Sequence, residues 1–93
     1  MLFVAFLKLR SDAPPMAEGV ARRAAYQPPM DVRMVAEYWL QSNDPATILI
    51  LETDSVTSLM AIRAVWGDIF DITFVPAMTL EDGLAAAQAM APQ

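Results

Sequence analysis

The sequence of 93 residues contains neither cysteine nor histidine. Without cysteine there can be no disulfide, zinc–thiolate site or iron–sulfur cluster. Without histidine the chain lacks an imidazole base, the Ser–His and Cys–His nucleophile pairs and a proximal-histidine haem ligand. We therefore expect neither a metal site nor a resident cofactor.

Charged residues are also scarce, at 18% of the chain against 56% hydrophobic residues, and the net charge is −5. Nucleic-acid binders neutralise phosphates with basic patches, so this balance argues against a nucleic-acid partner. A domain of this length buries only about 60–65% of the surface that its unfolded chain exposes. Association is the support that remains without disulfides or metals. We predict one domain, residues 1–93, that forms a homodimer.

The chain opens with an apolar run, Met1–Leu7, that has the hydrophobicity of a targeting segment. No basic residue precedes it, Lys8 and Arg10 follow it, and it is far shorter than the roughly 20 residues that span a bilayer. We interpret it as a β-strand, and we expect no membrane association and a cytoplasmic location.

Hydrophobic periodicity and turn residues predict four strands and three helices. The strands are predicted at Leu2–Leu9, Val32–Gln41, Ala46–Thr53 and Phe70–Met78. The helices are predicted from a cap at Ser11 or Asp12 to about Tyr26, from a cap at Thr53 or Asp54 to Gly67, and from a cap at Thr79 to about Met90.

This order, β-α-β-β-α-β with a C-terminal helix, is typical of an α+β, ferredoxin-like domain. Leu2–Leu9 and Ala46–Thr53 are apolar at nearly every position, so both should be central strands. Pro76 cannot donate to a sheet ladder, which places the last strand at an edge. The prediction is an antiparallel four-stranded sheet in the order 4-1-3-2, with both main helices on one face. The open face is apolar, and we expect a second copy to cover it by two-fold symmetry.

The direction of the side chains in the second strand depends on the hairpin that follows. A turn centred on Asn43-Asp44 places Trp39 opposite Ile48 and Glu37 opposite Ile50, whereas one residue more or less in the loop reverses the faces. The group predicted to share the open face is Arg33, Glu37, Trp39, Glu52, Asp71 and Thr73.

Two interpretations of this group stay open. In the first, it lines a pocket between two sheets, a buried glutamate (Glu37 or Glu52) with a raised pKa acts as general acid or base, and Arg33 polarises a substrate oxygen. In the second, Arg33 pairs with an acidic neighbour at a solvated rim and Trp39 is interface core. Trp66 is likewise either a core residue or a platform for a ligand.

Two stretches, Met1-Leu2-Phe3 and Trp66–Pro76 (WGDIFDITFVP), resemble the dimeric α/β-barrel superfamily. The second is similar to the Trp…Asp…Asp-Phe…Val-Pro signature of a bacterial group within it, a domain of unknown function. The resemblance implies ferredoxin-like subunits whose sheets close into a barrel across a dimer.

The same resemblance suggests activities. Members of the superfamily include cofactor-free quinol-type monooxygenases, haem-degrading enzymes and muconolactone-isomerase-like proteins. The haem degraders use a histidine that this chain lacks, whereas the monooxygenases use pocket Trp, Tyr or Asn side chains, a role that Trp39 and Trp66 would take here. Three functions remain open: a homodimeric module that binds a small apolar molecule or supports a partner, a cofactor-independent enzyme acting on a small aromatic or carbonyl compound, and a purely structural subunit.

Overall fold

The computed structural model describes residues 1–92, in which strands and helices follow each other in the order β-α-β-β-α-β-α. The strands are β1 (Leu2–Leu9), β2 (Arg33–Trp39), β3 (Thr47–Glu52) and β4 (Phe70–Ala77). The helices are α1 (Met16–Ala25), α2 (Val56–Trp66) and α3 (Leu80–Met90). Each of these elements was predicted from the sequence.

The strands form one antiparallel sheet in the order β2-β3-β1-β4, as the sequence predicted. The apolar strands β1 and β3 are central, and β4, which contains Pro76, lies at an edge. The architecture is α+β with an open four-stranded sheet, and it is compatible with a ferredoxin-like arrangement.

Helix α1 begins later than predicted, because the two prolines before it hold the chain extended. Pro15 has φ −54° and ψ 146° and provides no side-chain cap. Pro14 precedes a proline and is therefore disfavoured in the helical region. Asp12, predicted as a possible cap, instead accepts a hydrogen bond of 2.9 Å from Nε of Arg10.

The other two helices have side-chain caps at their N-termini. Helix α2 is capped by Ser55, whose hydroxyl accepts a hydrogen bond from the backbone N–H of Ser58 at 3.1 Å. The predicted cap, Thr53 or Asp54, was therefore wrong. Helix α3 is capped by Thr79, which accepts from the N–H of Asp82 at 3.1 Å, and this prediction is confirmed.

The predicted register of the β2–β3 hairpin is wrong by one residue. The backbone N–H of Leu40 donates to the carbonyl of Ala46 at 2.8 Å, which leaves residues 41–45 as the loop. Glu37 therefore lies opposite Leu49, and Trp39 opposite Thr47. Since the side-chain period of a strand is two, this shift turns Glu37 and Trp39 away from the open face and toward the helices.

A bulge at Val35 shifts the pairing by one further residue at the start of β2, which restores the predicted faces there but not the predicted partners. Arg33 consequently lies opposite Glu52, a pairing that was not predicted, and the two side chains share the open face, as predicted. The bulge thus separates Arg33 from Glu37, so that the two side chains point to opposite sides of the same strand.

The core lies between the sheet and α2, while α1 contributes no buried residue. The buried core residues are Ala5, Leu7, Leu49, Leu51, Leu59, Ile62, Trp66 and Ile69. Because α1 covers this side of the sheet without filling the space beneath it, a cleft remains. Within residues 1–92, no helix has the length and apolar character needed to cross a membrane.

Candidate functional site

The cleft lies between α1 and the helix-facing side of the sheet and has a volume of about 840 Å³. Its floor is apolar, with Met34 and Leu49 from the sheet and Ile62 from α2. Met16 and Val20 line it from α1. Polar side chains line it from β2 (Glu37), from α1 (Arg23) and from the loops at residues 10–11 and 41–43.

Glu37 is the central polar residue of the cleft, and its side chain is only 19% exposed. Arg23 of α1 donates to Oε1 from Nε at 3.0 Å and from Nη2 at 2.8 Å. Trp39 donates from Nε1 to Oε2 at 2.7 Å. Both oxygens of the carboxylate are therefore held by charged or aromatic N–H groups.

These contacts decide the charge state of Glu37. Burial acts to raise the pKa of the Glu37 carboxyl group. It is opposed by the hydrogen bonds from Arg23 and Trp39 and by the positive charge of Arg23, all of which lower the pKa. The net result is a pKa below the ordinary value for glutamate. Glu37 also raises the pKa of Arg23. The prediction of a glutamate with a raised pKa at this position is wrong, because Arg23 forms an ion pair with it.

Aromatic side chains form the walls of the cleft. Trp39 is 59% exposed, and Tyr26 packs edge-on against Trp66 with ring centroids 5.4 Å apart. Burial raises the pKa of Tyr26, so its phenol keeps its proton at neutral pH and can donate a hydrogen bond. The cleft thus combines an apolar floor, flat aromatic walls and a few fixed hydrogen-bonding groups.

Consecutive arginines attach α1 to the two sides of the cleft. Arg23 binds Glu37 of β2. Arg22 donates from Nη1 to Oδ1 of Asp68, just after α2, at 2.7 Å, and to the backbone carbonyl of Val65, near the end of α2, at 2.8 Å. The guanidinium of Arg22 also lies 5.6 Å from the ring centroid of Trp66. Arginine contacts therefore hold the helix above the cleft.

Sequence reasoning missed Arg23 and Tyr26 as members of the site. The guanidinium groups of Arg22 and Arg23 both bind acidic side chains outside α1, those of Asp68 and Glu37. A signal was available, since Arg23 and Tyr26 are three residues apart and so share one side of the helix end.

The predicted site residues divide between the two faces of the sheet. Glu37, Trp39 and Trp66 line the cleft. Arg33 and Glu52 form an exposed ion pair of 2.8 Å on the open face, so that the expected acidic partner of Arg33 is confirmed. Asp71 on β4 accepts from Nη1 of Arg10 at 3.0 Å.

Thr73 lies opposite Phe6 on the open face, next to Asp71 but far from the Arg33–Glu52 pair. Arg33 and Asp71 lie on opposite edge strands and at opposite ends of the sheet. The open-face residues therefore do not converge on one point within a subunit. Among residues 1–92, no group of three or more metal-ligating acidic side chains is present.

The fold and the cleft define a small α+β domain with an open antiparallel sheet and a partly apolar cleft beneath its first helix. Within this class, the chain belongs to the family described as Domain of unknown function (DUF3303), whose model matches residues 1–91. No curated protein and no solved structure matches the chain. The family match confirms the expected relationship to a domain of unknown function.

Proposed function

We propose that this domain binds a small, uncharged and mainly apolar molecule in the cleft beneath α1. We further propose that it does so as a homodimer of ferredoxin-like subunits whose open sheet faces pack together as a dimeric α/β barrel. The observation that carries the first part is the exposed Trp39 ring beside an apolar floor, next to a carboxylate that is already neutralised by Arg23.

The dimensions of the cleft support a small-molecule ligand. Its volume of about 840 Å³ falls in the roughly 300–1,000 Å³ range of small-molecule sites, which are typically apolar with a few fixed polar groups. A ligand with a flat ring would stack on Trp39 and cover Met34 and Leu49. The O–H of Tyr26 would donate to a carbonyl or hydroxyl oxygen on such a ligand.

The charges of the lining support an uncharged ligand. The charged side chains that line the cleft are Arg10, Arg23 and Glu37. Arg23 and Glu37 neutralise each other, and Arg10 binds both Asp12 and Asp71. A charged ligand would lose hydration without meeting an uncompensated charge of opposite sign, which is unfavourable.

The same geometry argues against Glu37 as the base of a cofactor-independent enzyme. A general base needs a free lone pair near the proton it removes and a pKa close to the working pH. Glu37 has a lowered pKa and accepts hydrogen bonds at both oxygens. Glu52 lies on the other face of the sheet and pairs with Arg33.

The exposed surface supports the homodimer. The chain exposes 6534 Å², whereas a folded monomer of 10.2 kDa is expected to expose about 5,300 Å². The excess of about 1,200 Å² is larger than the roughly 800 Å² that each partner contributes to an interface of standard size. Apolar side chains cover the open face of the sheet: Leu2, Val4, Phe6, Tyr38, Ile48, Ile50 and Val75.

A neutral fluorescent probe tests the ligand proposal. N-phenyl-1-naphthylamine is uncharged and bright only in apolar surroundings, and we expect it to bind the purified full chain with a dissociation constant in the micromolar range. Trp39→Ala should raise that constant about tenfold, which corresponds to roughly 1.4 kcal/mol of lost aromatic contact. Met60→Ala, on the outer side of α2, is the matched control and should change nothing.

The outcomes separate the alternatives. Equal affinity of wild type and Trp39→Ala would place the probe outside the cleft and refute the assignment of the site. No binding at all would favour the purely structural subunit. Tighter binding of the anionic analogue 1-anilinonaphthalene-8-sulfonate than of the neutral probe would contradict the proposed ligand class.

Sedimentation equilibrium tests the homodimer separately. We expect the wild-type chain to sediment as a dimer at micromolar concentration. Tyr38→Asp, on the open face of the edge strand β2, should weaken the dimer because it places a charge against the apolar surface of the partner. A wild-type chain that is monomeric at 100 micromolar would refute the dimer and leave the ligand proposal intact.

A further inference from the structure

We infer that α3 of each subunit packs against the second copy of the chain, so that the two copies exchange their C-terminal helices. This inference rests on the homodimer proposed above and adds a second contact surface to it. It concerns a helix that no predicted site residue occupies.

Helix α3 has the composition of a buried helix but is exposed. Its charged residues are Glu81 and Asp82, both in the first turn, and the polar residue after them is Gln88. None of its residues is buried, and Leu80 and Leu84 are 80% and 53% exposed. A helix that is apolar on all sides is normally covered by other structure.

Its own chain does not provide that cover. Among residues 1–92, no residue of α3 is buried, and the side chain of Met78, just after β4, lies beside Gly83. The helix has 11 residues. Isolated helices shorter than about 12–15 residues are only marginally stable in water, because packing supplies most helical stability in proteins. Another surface is therefore needed to keep α3 folded.

The dimensions of the chain support an arm that reaches beyond its own subunit. Its largest extent is 57 Å, although strands of eight residues span only about 27 Å. The radius of gyration is 15.6 Å, whereas a compact chain of this length is expected to have about 12 Å. Such proportions fit a subunit that becomes compact only within an assembly.

The position of α3 favours a second copy as the surface it covers. The helix begins at one end of the open sheet face, where a hollow of about 500 Å³ separates Leu2 and Ala77 of the sheet from Thr79 and Asp82. A partner that covers the open face would therefore lie beside the start of α3. Two-fold symmetry would bury both helices at once, and the excess surface of about 1,200 Å² suffices for a sheet contact and a helix contact together.

The test uses full-length chains and two measurements. Sedimentation equilibrium compares wild type, the double variant Leu80→Glu/Leu84→Glu, and the control Met60→Glu, which changes a residue on α2 that is 66% exposed. Hydrogen exchange of wild type, followed by mass spectrometry above and below the dissociation constant, reports whether residues 80–90 are protected only in the dimer.

We expect the double variant to raise the dimer dissociation constant at least tenfold and the control to leave it within twofold. We also expect protection of residues 80–90 to disappear on dilution while that of β1 persists. A wild-type dimer whose dissociation constant is unaffected by Leu80→Glu/Leu84→Glu, or whose α3 amides exchange equally fast at both concentrations, would overturn the inference and leave the sheet-face dimer standing. A monomeric wild-type chain would instead refute the dimer itself.

Discussion

Trp39 donates a hydrogen bond of 2.7 Å from Nε1 to Oε2 of Glu37, two residues earlier on the same face of β2. Arg23 holds the other oxygen of that carboxylate from α1. Glu37 thereby connects an edge strand to the helix above the cleft. The stability of this junction and the shape of the proposed ligand site should depend on the same three side chains.

The first prediction concerns Glu37→Gln. The substitution leaves the guanidinium of Arg23 without its charged partner, and we expect the free energy of unfolding at pH 7 to fall by about 1–3 kcal/mol. Urea denaturation measures this loss. Glu81→Gln, an exposed residue in the first turn of α3, is the control and should change stability by about 0.3–1 kcal/mol at most.

The second prediction is the pH dependence of that difference. The folded-state pKa of Glu37 is lowered, so the stability it contributes is present above the ordinary glutamate pKa and is lost as the pH falls through the lowered value. The difference between wild type and Glu37→Gln should therefore shrink below about pH 4. A difference that stays constant between pH 7 and pH 3 would contradict the ion pair.

The third prediction concerns Trp39→Phe. This variant keeps an aromatic ring at the edge of the cleft but removes the N–H that binds Glu37, so the pKa of Glu37 should rise toward its ordinary value. Carbon-detected NMR titration of the glutamate carboxyl groups would show the change. An unchanged pKa of Glu37 in the variant would contradict a contribution from this hydrogen bond.

The fourth prediction locates the core. Leu51 is fully buried in the central strand β3, and Leu51→Ala should lower the free energy of unfolding by about 2–5 kcal/mol. Met60→Ala, on the exposed side of α2, should stay within about 0.5 kcal/mol of wild type. Similar losses in the two variants would show that the helix-facing side of the sheet is not the core.

The fifth prediction concerns Arg33→Ala. The Arg33–Glu52 pair is exposed on both sides, and exposed ion pairs contribute little to stability, so we expect a change within about 0.5 kcal/mol. Binding of the neutral probe should also be unchanged, because Arg33 points away from the cleft. A clear loss of probe binding would show that the ligand lies on the open face.

The sequence alone determined the order of the elements, the central position of β1 and β3, and the edge position of β4. These follow from local properties: the apolar periodicity of each segment, the proline in β4, and the capping of α3 by Thr79. The caps of α1 and α2 were less predictable, because several neighbouring side chains can compete for the same backbone N–H groups.

Only the tertiary structure decided which residues form the site. The loop at residues 41–45 turned Glu37 and Trp39 toward the helices, and the bulge at Val35 kept Arg33 beside Glu52. A single residue in a loop or a bulge reverses every side chain along a strand, and that count depends on how the whole hairpin packs. The absence of cysteine and histidine thus limited the possible chemistry from the start, whereas the ion pair between Arg23 and Glu37 arose only when α1 was folded over β2.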